Sequence, residues 1–247
     1  MLLEQALFDV KEAHFDANGA LCDYGSLARS SEHARLAECL GELEKFDPKR
    51  VRIPAQTAFW VNVFNAAVLR DSYELASATS VREVEAFFER PRLNIGGLRY
   101  SLDDIEHGLL RGNVAKFGGL GPPMPPKDPR LAYMPIACDE RVHFAMYSAS
   151  RSSPALRIFD SGKLDEQFEQ ATAEYLQRTV RVENGGALVI LPRQFYWYRA
   201  DFGGERGALE FALARLDDDV VEMVDRRQGR VKLRYAAFDW TLNKKSA

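Results

Sequence analysis

A chain of 247 residues, 46% hydrophobic and 28% charged, has the profile of a globular protein with a core of useful size. A formal net charge of -3 gives no reason to expect a nucleic-acid or anionic-membrane partner. No run of about 18 apolar residues marks a transmembrane helix, and four histidines with three scattered cysteines (Cys22, Cys39, Cys138) match no metal spacing, so no metal or other cofactor is expected.

Glu4 and Asp9 interrupt the first apolar run, which makes it an amphipathic helix rather than a signal peptide and the expected compartment the cytoplasm. Residues 1–46 read as two helices joined around DANGALCDYGSL, with Ser30 or Ser31 capping the second. Residues 54–76 form a third helix with Pro54 near its first turn, SVREVEAFFER a short fourth, and SLDDIEHGLLRG a fifth. The segment FGGLGPPMPPKDPR, residues 117–130, holds three glycines and five prolines and is a loop that could cover a site. RVHFAMYS reads as a strand and KLDEQFEQATAEYLQRT as an amphipathic helix. VRVENGGALVIL is a hairpin turning at Asn184-Gly185-Gly186, GALEFALARL a late helix, and GRVKLRYAAFDWTLN a final strand. Helices early and strands late predict an α+β fold, a helical N-terminal half packed on an antiparallel β-sheet from the C-terminal half. One domain is expected over 1–247, with 1–53 a helical N-terminal part and 54–247 the core.

The fifth helix carries the main anomaly. Ser101 and Asp104 form a capping box and Gly112 is a natural stop. At about 100° per residue, Leu102, Ile105, Leu109 and Leu110 define a buried arc, and Glu106 falls inside it. Burying an unpaired carboxylate costs several kcal/mol, so Glu106 must be paired, protonated or facing a wet cavity. That makes it either a structural acid or a site residue. His107 falls at the arc's edge, where it either pairs with Asp103 at i, i+4 on the surface or contributes to binding. In the third helix, AFWVNVFNAAVL is apolar nearly all round except for Asn62 and Asn65. Two buried amides must find partners. They tie the helix to neighbouring loops, or one of them donates to an oxyanion.

His143 begins the strand-like HFAMYS, which breaks into four serines between Ser148 and Ser153. A lone strand histidine is more often structural, but a serine loop at the end of a rigid element is a place for catalysis. Strand alternation puts His143 and Ser148 on opposite faces, so Ser153 is the better partner. QFYWYRADF surrounds Arg199 and Asp201 with aromatics, as core packing or as a pocket wall that binds through those two charges. His14, His33, Trp240 and Asn243 read as structural.

These segments resemble one known family. AFWVNVFNAAVL looks like a helix usually written W-I-N-x-Y-N-A, and SLDDIEHGLLR is close to that family's central helix. DPRLAYMPIACDERVHFAMYSASRSSPAL is similar to a segment of D-P-R followed by H-F-A-L-N-C-x-x-x-S-C-P, and LPRQFYWYRADF and FDWTLN also match. The resemblance is to the domain of unknown function 547. It implies a site similar to those of papain-like or transglutaminase-like thiol hydrolases and acyltransferases. Glu106 and His143 match its pattern, whereas Ser148 and Ser153 stand where the family carries cysteine and Tyr147 where it carries asparagine. Thiolate is a strong nucleophile and a hydroxyl needs a well-placed base. Two readings follow. One is a hydrolase with Ser153 or Ser148 as nucleophile, His143 as base, Glu106 or Asp201 as orienter, and Asn62 or Asn65 near the oxyanion. The other is a non-catalytic module binding a small-molecule or peptide ligand. A carboxylate-based hydrolase using Glu106 with Asp201 or Asp103 has no motif behind it.

Overall fold

The structure, a computed structural model, describes residues 2–52 and 55–245. Pro54, expected in the first turn of the third helix, lies outside them. The fold is mixed α+β. Among the described residues no helix is long and apolar enough to cross a membrane. The chain gathers into two compact units, one of residues 1–167 with 240–247 and one of 168–239.

The first unit is built on helices. Helix α1 (Leu2–His14), the short α2 (Tyr24–Leu27) and α3 (Ser31–Glu42) precede the central α4 (Gln56–Arg70) and α5 (Ser72–Ser77). Ser30 caps α3 by accepting from the His33 amide at 3.1 Å, an interaction of about 1 kcal/mol. Helices α1, α3 and α4 pack on one another. Helix α4 is buried from Ala58 to Leu69, as an all-round apolar sequence requires. Each of its large apolar side chains contributes about 1.5–3 kcal/mol on burial. Trp60 anchors it further by donating from Nε1 to the Tyr133 carbonyl at 2.9 Å.

Strands β1 (Leu93–Ile95) and β2 (Leu98–Tyr100) form an antiparallel hairpin. Gly96 (φ 59°) and Gly97 (φ 76°) occupy its two-residue turn, where a matching twist needs two left-handed residues. The helix expected over SVREVEAFFER is only a single 3₁₀ turn, Val81–Glu83. The backbone there is claimed by other partners: Ser80 bridges Thr241, and the Val81 amide donates to the Trp240 carbonyl.

The strand expected over RVHFAMYS is also absent. Residues Glu140–Phe144 form a 3₁₀ turn instead. Asp139 accepts from the Arg141 amide at 3.0 Å, and the Val142 amide closes on the Asp139 carbonyl at 3.1 Å. A short polar side chain that bonds the backbone two residues on turns the chain before a strand can begin.

The second unit holds most of helix α6 (Leu164–Thr179), strands β3 (Arg181–Glu183) and β4 (Leu188–Leu191), helices α7 (Gln194–Trp197), α8 (Gly204–Leu213) and α9 (Asp218–Asp225), and strand β5 (Lys232–Tyr235). β3 and β4 form the predicted antiparallel hairpin, with Asn184, Gly185 and Gly186 all at positive φ. The sheet is not purely antiparallel, because β5 pairs with β4 in parallel. A parallel pair needs a crossover of a dozen or more residues, and α7, α8 and α9 supply it.

Candidate functional site

The helix SLDDIEHGLLRG opens with the predicted capping box. The Asp104 amide donates to Ser101 Oγ at 3.0 Å, and the Ser101 amide to the Asp104 carboxylate at 2.8 Å. Asp104–Leu110 is then wound as a π-helix, shown by the Arg111 amide donating to the Glu106 carbonyl five residues back at 2.9 Å. A π turn fits an extra residue into each turn and is frequently found at functional sites. Its effect here is to bury two polar residues where the α spacing placed one. Glu106 is 9% exposed, and His107, expected at the arc's edge, is 2% exposed.

Four charged groups converge on this turn. His107 Nε2 lies 3.8 Å from Asp103 Oδ1, and its Nδ1 lies 4.0 Å from Glu106 Oε1. Arg111, itself buried, places Nη1 3.0 Å from His107 Nδ1 and also donates to the Ala115 carbonyl at 3.3 Å. Lys116 Nζ reaches Asp103 at 2.8 Å and Glu89 at 2.7 Å. Burial raises the pKa of Asp103 above the usual carboxylate range, against the opposing pull of Lys116. Burial pulls Lys116 down, but its bonds to Asp103 and Glu89 win and hold it above the usual ammonium range. One ligand atom each from Asp103, Glu106 and His107 lies within 4.8 Å of the others, a spacing a divalent cation can span. The guanidinium of Arg111 and the ammonium of Lys116 already supply positive charge to those donors, and we assign no metal to them.

The loop after the turn folds back over it. Val114 donates its amide to the His107 carbonyl at 3.1 Å. The Asn113 side chain both donates to and accepts from the Met124 backbone, at 2.9 and 3.1 Å. This seats the fully buried Met124 against Gly108, where a Cβ would come within 2.6 Å of Met124 Cε. Thus part of the 117–130 loop covers the turn, while its Phe117 and Leu120 remain exposed. Cys138 Sγ lies beside Gly112 at the far end of the turn, 2.8 Å from the point a Cβ would occupy. An open surface pocket lined by Pro91, Leu98, Arg99, Asp128, Pro129 and Arg130 contains none of the predicted site residues.

Asn62 and Asn65 each grip a strand-like segment by both amide functions. Asn62 accepts from the Phe159 amide at 3.0 Å and donates to the Phe159 carbonyl at 2.8 Å. Asn65 accepts from the Tyr147 amide at 2.8 Å and donates to the Ala145 carbonyl at 3.2 Å. Three residues apart on α4, they stand in for a neighbouring strand.

His143 is buried within its 3₁₀ turn, so the strand-face rule that separated it from Ser148 does not apply. In the serine loop, Ser153 Oγ accepts from the Ser148 amide at 2.8 Å and donates to the Pro154 carbonyl at 2.8 Å. Ser148 Oγ lies 3.1 Å from Ser150 Oγ. Ala149, at φ 58°, adopts a left-handed conformation unusual for a residue with a Cβ. The C-terminal segment secures the loop, with Arg151 donating to the Thr241 carbonyl at 2.8 Å and Asn243 to the Ala149 carbonyl at 3.3 Å. Beneath it, the Asn243 side chain accepts from the hydroxyls of Tyr24 and Tyr147, at 2.6 and 2.9 Å. The two hydroxyls also lie within hydrogen-bond reach of each other, so two protons are shared among the three contacts of this buried triangle. Burial pushes both phenols well above their ordinary pKa. Arg199 and Asp201 belong to the second unit, at the end of α7, Arg199 exposed and Asp201 half-buried.

The family described as "Protein of unknown function, DUF547" matches residues 48–176, a span running from before α4 into the last turn of α6 that includes the π turn and the serine loop. The chain belongs to the DUF547 family. No curated protein and no solved structure matches it. Within the DUF547 match, α4 clamps the segments that follow the His143 turn, and the capped π turn gathers Asp103, Glu106, His107 and Arg111. Arg111 is the site residue that sequence reasoning missed. Its signal was its spacing, four residues after His107 and five after Glu106, at the end of a turn already carrying a misplaced acid.

Proposed function

We propose that this DUF547 chain is a relic of a thiol hydrolase or acyltransferase. Its former nucleophile positions, Ser148 and Ser153, now serve the loop, and its buried Glu106–His107 turn holds a small-molecule or peptide ligand. One observation carries this reading. A serine hydroxyl has one proton to donate, and that of Ser153 already goes to the Pro154 carbonyl while its oxygen receives the Ser148 amide. A base has no proton to withdraw there without breaking the loop. Both amides of α4 are likewise engaged with backbone, which favours clamping over oxyanion binding.

A second reading, a weak serine hydrolase, rests on Ser148. It is only half-buried, its hydroxyl partner is another serine, and the adjacent Ala149 is held in a left-handed conformation of the kind that clusters at active sites. A serine-reactive fluorophosphonate separates the two. The relic reading predicts no stoichiometric labelling of the wild-type chain, and His143-dependent labelling at Ser148 would establish the second. The thiol ancestry has its own test in Ser148→Cys. The restored thiol should react with iodoacetamide at neutral pH faster than an unperturbed cysteine, and His143→Ala should slow it. Reactivity at the unperturbed rate, indifferent to His143, removes the ancestry from consideration.

A further inference from the structure

We infer that Arg111 is a positioning residue that fixes His107 as a neutral imidazole with its proton on Nε2. This deepens the reading of the Glu106–His107 turn as the ligand site and rests on it. A guanidinium has five donors, no acceptor, and stays charged throughout the range in which proteins fold. The 3.0 Å contact between Arg111 Nη1 and His107 Nδ1 therefore has one possible direction, arginine to histidine. Nδ1 must present its lone pair, and the ring proton resides on Nε2, on the side of Asp103.

The immediate surroundings of the ring favour the same state. Lys116 is engaged by both Asp103 and Glu89, so the cation His107 meets directly is Arg111, at 3.0 Å. A protonated His107 would set two cations against each other at that contact, in a residue only 2% exposed. Helix α4, which packs against the turn, adds no titratable side chain between Gln56 and Leu69. Arg130, on the neighbouring 3₁₀ turn Pro129–Tyr133, directs its charge to Asp104 and Asp128. Cys138 lies at Gly112, one turn further on. Held in this way, His107 carries its N–H at Nε2, on the side of Asp103, while its Nδ1 lone pair is taken up by Arg111.

Histidine-specific ¹⁵N labelling of the full chain, with long-range proton–nitrogen correlation spectra and His107→Gln for assignment, reads the tautomer directly. The wild-type chain should show an unprotonated Nδ1 and a protonated Nε2, with no second protonation down to the unperturbed histidine value of about 6.5. Removing the charge with Arg111→Met should raise the His107 midpoint by about 1–3 pH units, while Arg111→Lys should keep it low. A proton on Nδ1 in the wild type, a doubly protonated ring above about pH 6.5, or a midpoint unmoved by Arg111→Met overturns the inference. Should Arg111→Met not fold, the wild-type spectrum alone decides. Those outcomes leave the serine-loop reading intact, because fluorophosphonate labelling does not depend on the His107 tautomer.

Discussion

Replacing Asn62 by alanine tests whether the α4 amides are clamps. The substitution leaves two buried backbone groups, the Phe159 N–H and C=O, without the partners they have at 3.0 and 2.8 Å. Asn62 itself is fully buried, so bulk water does not replace it cheaply. Each orphaned group costs about 1–3 kcal/mol, giving a loss of about 2–6 kcal/mol. That is a large part of a typical stability of about 5–15 kcal/mol. With a urea m-value near 2 kcal/mol/M, the unfolding midpoint should fall by roughly 1–3 M at unchanged slope. Asn65→Ala should fall in the same range, since it strands the Tyr147 amide and the Ala145 carbonyl. A loss under about 1 kcal/mol for Asn62→Ala, at constant m, would refute the clamp and return the amide to a functional role.

Three further predictions use the same kind of measurement. Ser153→Ala should cost about 1–3 kcal/mol, because it orphans the Ser148 amide, whereas Ser148→Ala should stay within about 0.5 kcal/mol; equal effects would contradict the loop geometry. Gly108→Ala forces a methyl against Met124 and should cost about 1–3 kcal/mol in the wild type but far less on a Met124→Ala background, a coupling that a double-mutant cycle reads directly. The buried phenols of Tyr24 and Tyr147 ionise only well above their ordinary value. The unfolded chain therefore releases those protons first, and stability present below about pH 10 is lost as pH rises past it, by up to about 1.4 kcal/mol per pH unit for each group. Tyr147→Phe should flatten that alkaline slope, and an unchanged slope would show that these phenols do not govern it.

Local chemistry was legible in the sequence to the extent that short-range rules act alone. The Ser101–Asp104 capping box, the Ser30 cap, the Asn184-Gly185-Gly186 turn and the buried α4 all appear as expected. The hairpin at LNIGGLRY carries an equally local signal, two glycines between short apolar runs. The RVHFAMYS segment has strand-like alternation, yet its backbone is turned by the Asp139 side chain. Its later residues, Ala145 and Tyr147, are then gripped by Asn65, 80 and 82 positions away.

The sequence by itself determined the α+β class, the membership in DUF547, and the presence of an acid on an apolar helical face. Those properties follow from composition, periodicity and ordered motifs, which are one-dimensional. The tertiary structure alone decided that His107 joins Glu106 in the interior, that the buried Arg111 meets His107 there, and that Lys116 pairs with Asp103 at the surface. It also decided that Met124 packs against Gly108 of the turn, and that the serine hydroxyls bond within their own loop. The π winding shifts which side chains face inward, and a hydrogen-bond partner is chosen by proximity in space. Neither a change in helical phase nor a contact across scores of residues leaves a trace in local sequence pattern.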